Sequence, residues 1–305
     1  MLVLLYCVFF VLGSVFGSFA CCQAYRIRYR QIGKKIGKRS ECLNCAHRLK
    51  WYELIPIASW VVLKGRCAKC KQKIGLIELL SEITMGIIFC LIVNFELRQC
   101  GVVKGSAFVI ENGVFPAILL EPVVIIYILL LLAAAVLFWI LLIYDLKWQE
   151  LPSRILMALI MISISYLVIN ELVKLGVINS NSFGAERRML TLVQKIEIIK
   201  RDAWILAGGI AVLPMLYFFL YKFSKEKLVG GGDYLLSLSM VLFLGRFDLA
   251  LTLLCLSNLL AFAFNAKKML QKKRTRIAFG PYLIVAFWVV FFLSKEILYY
   301  LYITV

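Results

Sequence analysis

The sequence predicts an all-α polytopic membrane protein with about eight transmembrane helices, and three observations carry that expectation. Hydrophobic residues fill 63% of the 305 positions and charged residues only 17%, against roughly 45–50% apolar residues in a soluble domain; the mean hydropathy is +0.90. Apolar runs near the ~20 residues needed to cross a hydrocarbon core recur along the chain. Lys and Arg, the source of a net charge of +18, fall mainly between those runs, as topology signals that stay on the cytoplasmic side do. Such segments touch anionic lipid headgroups. Without a basic-aromatic repeat, membrane lipids and not nucleic acid are the expected partner for this charge.

The runs place spans at 2–22, 77–97, 117–143, 154–175, 203–221, 234–246, 248–266 and 281–303. The first contains no Lys or Arg before Phe19, and basic residues begin at Arg26. That order reverses a secretory signal peptide, so an uncleaved helix with its N-terminus outside is expected. Segments 23–76, 145–153, 222–233 and 267–280 then lie inside. Segment 98–116 lies outside with only Arg98 and Lys104. Segment 176–202 also falls outside although it carries Arg187, Arg188, Lys195, Lys200 and Arg201. Its Leu190, Val193, Ile196 and Ile199 predict an amphipathic helix on the membrane surface. The 234–246 run is too short for an untilted crossing and follows three glycines, which suits a broken or re-entrant segment. One membrane domain is expected over 1–305, with the polar loop 23–76 inserted between its first two helices.

That loop holds Cys42-Leu43-Asn44-Cys45 and Cys67-Ala68-Lys69-Cys70, separated by 21 residues. Two C-x-x-C pairs let Cys42, Cys45, Cys67 and Cys70 converge tetrahedrally on one structural zinc, each pair wrapping the ion with a tight turn. Two disulfides or four unrelated thiols are the alternatives, and a reducing cytoplasmic loop argues against them. His47 beside the first knuckle either replaces one of the cysteines as a ligand or is a solvated loop residue. The remaining cysteines, in or beside apolar spans, read as small hydrophobes.

Two aspartates have unusual flanks. Asp145 closes the long apolar run ending in Tyr144, and Leu151-Pro152 follows, with proline suited to the first turn of a new helix. Asp145 is therefore expected at a fixed hairpin, either as an ordinary helix-end carboxylate or as a functional one. Asp233 follows Gly230-Gly231-Gly232 and precedes an apolar helix start; it reads as an N-cap or as a carboxylate deliberately placed at membrane depth. The expected topology puts both on the same face. Paired carboxylates suit acid-base hydrolysis, one activating water and the other donating to the scissile carbonyl oxygen. Asp248 falls at the opposite face and reads as structural.

At these residues the chain resembles the bacterial type IV prepilin peptidases, membrane aspartic peptidases of the G-x-G-D class. The marks run in the family's order over nearly the whole length: Gly17-Ser18-Phe19, the two knuckles with Trp51 to Pro56 between them, Glu78, Asp145 with Leu151-Pro152, Gly230 and Gly232 before Asp233, and Phe279-Gly280-Pro281. The resemblance implies catalytic roles for Asp145 and Asp233. It also implies removal of a short basic leader from prepilin or pseudopilin precursors at the cytoplasmic face of the inner membrane. In many members S-adenosylmethionine-dependent N-methylation of the new N-terminus follows; no residue here marks a methyl-donor site. The chain departs from the family pattern at Cys21, Ser153 and Leu235. Taken singly, Gly17, Ser18 and Phe279-Gly280-Pro281 also suit helix packing and helix starting, and Glu53, Glu78 and Glu82 suit solvated, helix-end or leader-attracting roles.

Overall fold

The computed structural model describes residues 2–33, 39–42, 44–99, 121–177, 191–224, 230–270 and 278–303. Every regular element among them is helical, with only two isolated β-bridges, Glu41 with Arg48 and Arg66 with Lys73. The helices are α1 (Leu2–Gln31), α2 (Ala58–Val62), α3 (Leu76–Gln99), α4 (Pro122–Trp148), α5 (Ser153–Lys174), α6 (Leu192–Ile210), α7 (Leu216–Ser224), α8 (Asp233–Leu244), α9 (Phe247–Leu270), α10 (Gly280–Phe292) and α11 (Ser294–Ile303). Among the described residues six stretches are long and apolar enough to cross a membrane: α1, α3, α4, α5, Leu192–Phe223 and Phe247–Ala266. The pair α10 and α11 makes a seventh if counted as one span, and α8, with 12 residues, is a shorter apolar helix.

The sequence boundaries shift where helices outlast their apolar runs. α1 continues nine residues beyond residue 22 to Gln31, carrying Arg26, Arg28 and Arg30. α4 continues through Asp145 to Trp148 before Gln149 turns left-handed at φ 54°. Asp145 is thus in the last helical turn and not in the expected hairpin. Leu192–Ile210 runs into α7 through a π-helical stretch, Ala211–Met215, where Pro214 lacks the N–H of a regular ladder. The expected span 281–303 is broken instead: α10 and α11 meet at 70°. The polar run Ser294-Lys295-Glu296 follows directly, and Arg98 approaches Glu296 at 4.0 Å. Of the amphipathic surface helix expected in 176–202, residues 178–190 lie outside the described residues, as does most of 98–116. The described part, from Leu192, leaves Val193, Ile196 and Ile199 exposed.

Two compact units result, Met1–Phe95 with Leu131–Tyr144, and Glu96–Leu130 with Asp145–Val305. In the first, Gly13 and Gly17 lie one turn apart on α1 against α3. A Cβ at Gly13 would stand 2.5 Å from the Met85 carbonyl oxygen, and one at Gly17 would collide with that of Ser81. Close backbone approach through small residues is how helices associate without a hydrophobic driving force. In the second, α8 packs chiefly on α5, and α9 on α10.

Candidate active site and metal centre

Asp145 and Asp233 both belong to the second unit and are 5% and 7% exposed. The Gly280 N–H donates to Asp145 Oδ2 at 3.0 Å, and the Gly230 N–H donates to Asp233 Oδ2 at 3.0 Å. Each carboxylate thus sits under a backbone donor at a helix start or glycine turn, an arrangement that favours negative charge. Asp145 also lies within the electrostatic reach of Asp233.

The flanking motifs supply close approaches. A Cβ on Gly280 would stand 2.7 Å from Asp145 Oδ2, so a larger residue there would push the carboxylate aside. Pro281, which has no N–H to satisfy, occupies the first turn of α10. Phe279 stacks edge-on against Tyr217 at 5.7 Å. A Cβ on Gly232 would meet Leu151 Cβ at 2.5 Å, so that glycine lets the Leu151-Pro152 turn close on the start of α8. Asp233 is the first residue of α8 and its N–H bonds the Gly230 carbonyl at 3.1 Å; Gly232 holds the N-cap position. From sequence, Phe279-Gly280-Pro281 suits a helix start; the Asp145 contact adds a second role that spacing does not reveal, since 135 positions separate the partners. Asp248, by contrast, pairs with Arg246 at 2.9 Å and accepts from Tyr302 at 3.2 Å.

The four knuckle sulfurs lie within 4.8 Å of one another, with Cys42 to Cys70 at 3.8 Å and Cys45 to Cys67 at 4.0 Å. A tetrahedral ion with metal–sulfur bonds of ~2.3 Å sets its sulfurs ~3.8 Å apart, so the donor set fits zinc. The two knuckles repeat one construction. Cys42 N bonds the His47 carbonyl and Cys67 N that of Gln72, while Ala46 and Lys71, each following a second cysteine, turn left-handed at φ 54° and 58°. Hydrogen bonding from the Gln72 backbone, aided by the Asn44 amide, holds the Cys70 thiol down to about 6. At Cys45 the His47 backbone bond pulls down, but burial and the sulfurs of Cys70, Cys42 and Cys67 outweigh it, leaving the thiol pushed up to about 11. The four sulfurs are close enough to compete for charge that a cation would satisfy.

His47 is not one of the four. Its Nε2 lies 3.3 Å from Glu53 Oε2, and the same carboxylate oxygen accepts from Lys50 N at 2.7 Å. Glu53 and Glu82 are buried, at 8% and 7% exposure, which removes the solvated role from those expected of them. Glu82 accepts from Ile57 N at 2.7 Å and from the Ser18 hydroxyl, which gives Ser18 a partner on α3. Phe19 is 45% exposed and meets Phe16 edge-on. Cys21 bonds Ser81 Oγ at 3.2 Å, and Glu78 lies against Gly75 at the start of α3.

This geometry defines a multi-pass membrane protein with two buried carboxylates in one unit and, in the other, four thiols placed so that they could hold a metal ion. Residues 11–95 match the bacterial peptidase A24 N-terminal domain. Over 296 residues the chain is 23% identical to a prepilin leader peptidase/N-methyltransferase of Vibrio cholerae, covering 93% of this chain and 95% of that protein. A namesake from Stutzerimonas stutzeri is 25% identical over 85% of this chain and 73% of its own length. One from Myxococcus xanthus is 40% identical over 80 residues, 26% of this chain and 23% of that protein. The chain is thus similar along most of its length to proteins of that name, and its first third matches the A24 N-terminal domain. No solved structure matches it.

Proposed function

We propose that this protein is an aspartic endopeptidase that removes the short basic leader of prepilin-like precursors at the cytoplasmic face of the inner membrane. The observation that carries the reading is the burial of Asp145 and Asp233 in one unit, each under a backbone donor from the glycine of a flanking motif. Two carboxylates in one electrostatic neighbourhood share a proton more readily than they both ionise. The ionised member accepts a proton from water as it attacks the scissile carbonyl while the protonated member donates its proton to the carbonyl oxygen; the first then passes the proton it took to the leaving amine, and the tetrahedral hydroxyl returns a proton to the second as the C–N bond breaks. Gly280 N–H orients the Asp145 carboxylate, and Gly230 N–H that of Asp233. In this reading Cys42, Cys45, Cys67 and Cys70 hold a structural zinc, which supplies a cross-link and no reaction step.

The relatives' shared name includes N-methyltransferase, which supports a second activity; the reaction proposed here is methylation of the newly freed amine with S-adenosylmethionine. No residue of this chain is assigned to the methyl donor.

The test is cleavage of a purified prepilin by the full chain in lipid vesicles. A product starting at the first residue after the basic leader is expected. Cleavage within the apolar segment would overturn the leader-peptidase reading in favour of an intramembrane protease, and unaltered cleavage by both Asp145→Asn and Asp233→Asn would overturn the dyad.

A further inference from the structure

The peptide between the two knuckles is unusually apolar for a segment with so many exposed side chains. Trp51 and Val62 are each 78% exposed, Val61 is 59% exposed, and Tyr52, Leu54 and Ile55 are exposed as well. Within it, Trp51–Leu54 forms a 3-10 turn and Ala58–Val62 a short helix. Glu53 is the only ionisable group of Trp51–Val62 besides the Tyr52 phenol, and it turns inward to bond Lys50 N and His47. The charge that a soluble loop would present to water is therefore turned away from the exposed side.

A second, independent observation fixes the depth of this peptide. Ile57 N donates to Glu82 Oε2 at 2.7 Å, and Ile57 adopts the left-handed φ of 61° while doing so. Glu82 is the last charged residue of α3 before the uncharged stretch from Ile83 to Phe95. It lies six residues beyond Leu76, a rise of ~9 Å along the helix axis. On α1 the same carboxylate bonds Ser18, well before the first cation at Arg26. Ile57 is thus tied to α1 and α3 a short way inside the apolar run of each, so the chain on either side of it starts from that level. Leu76 and Leu80, one turn apart on α3 and N-terminal to Glu82, are 63% and 55% exposed, so the helix that holds Ile57 also presents apolar side chains at this end. Trp and Tyr favour this zone because their rings bury an apolar body beneath a polar edge. Lys50, Lys64, Arg66, Lys69, Lys71 and Lys73 flank the peptide in sequence, as cations flank an interfacial segment that meets anionic headgroups.

We infer that Trp51–Val62 is a lipid-embedded anchor: it lies in the headgroup and upper acyl region of the bilayer and holds the cysteine module flat against the membrane. The partner is the lipid surface itself, and the inference is independent of the peptidase reading. Glu82 is the tie that sets the depth, which gives a purpose to a buried carboxylate that the proposed chemistry does not use.

The test uses the full chain in vesicles of phosphatidylethanolamine and phosphatidylglycerol, with p-benzoylphenylalanine replacing Val62 and, separately, Leu91 on the outward side of α3. Illumination is expected to yield lipid adducts from both sites. Adducts from the Leu91 site alone overturn the anchor, as does an adduct at the Val62 site that forms only with an added prepilin, which would make the segment a substrate surface. Tryptophan quenching by lipids brominated near the carbonyl end gives a second readout that needs no cross-link. Trp51→Phe should lose a measurable share of that quenching; equal quenching of variant and parent overturns the inference. Unchanged zinc content in each variant shows that the module is folded.

Discussion

The Gly280 N–H reaches Asp145 Oδ2 at 3.0 Å, joining the first residue of α10 to the last turn of α4 across 135 positions of sequence. The contact leaves no room for a side chain on Gly280, since its Cβ would fall 2.7 Å from the same oxygen. A carboxylate already buried is thereby given both a donor and a fixed direction.

Replacing either aspartate tests the pair most directly. Asp145→Asn and Asp233→Asn should each lower precursor cleavage by ~10²–10⁴-fold, the range of a lost general acid or base. Folding should survive, because asparagine keeps the shape and one acceptor oxygen for Gly280 or Gly230. Single-turnover cleavage in vesicles measures the loss.

Gly280→Ala should act through Asp145 without altering the carboxylate chemically. Displacement by about an ångström costs on the order of 10²-fold in rate. Cleavage should fall that far while zinc content and thermal unfolding of the variant stay near those of the parent. Wild-type cleavage by Gly280→Ala would show that the contact does not position the carboxylate.

The metal centre predicts about one equivalent of zinc in reduced, purified protein. Thiolates bind the ion and thiols do not, so retention should weaken as pH falls and protons compete for sulfur. Cys67→Ser should release most of the zinc and open the residue 39–73 region to protease. Metal analysis and limited proteolysis report the two effects, and a full equivalent retained by the serine variant would count against the cage.

Gly17→Leu should separate α1 from α3, because even a Cβ there collides with the Ser81 carbonyl. Overpacking of this kind costs ~1–3 kcal/mol, visible as a lower midpoint of thermal unfolding in detergent. Phe19→Ala, at an exposed neighbouring position, should leave the midpoint nearly unchanged.

The sequence by itself determined the class of fold, because a chain so rich in apolar runs has few folded forms outside a bilayer, and only helices satisfy their own backbone there. It also determined the four sulfur ligands as candidates, since C-x-x-C spacing is a local property that a short turn converts directly into geometry. Helix ends were less legible: α1 and α4 outlast their apolar runs, and α10 and α11 bend where one span is expected, because packing and hydrogen bonding set those boundaries as much as hydropathy does. The long-range relations came only with tertiary structure. Nothing near Asp145 announces Gly280, nothing near Gly232 announces Leu151, and the burial of Glu53 and Glu82 reverses the solvated role their charge suggests. Such contacts depend on which helix faces meet, and that is decided by shape and by the need to partner every buried polar group, neither of which is written in the local sequence.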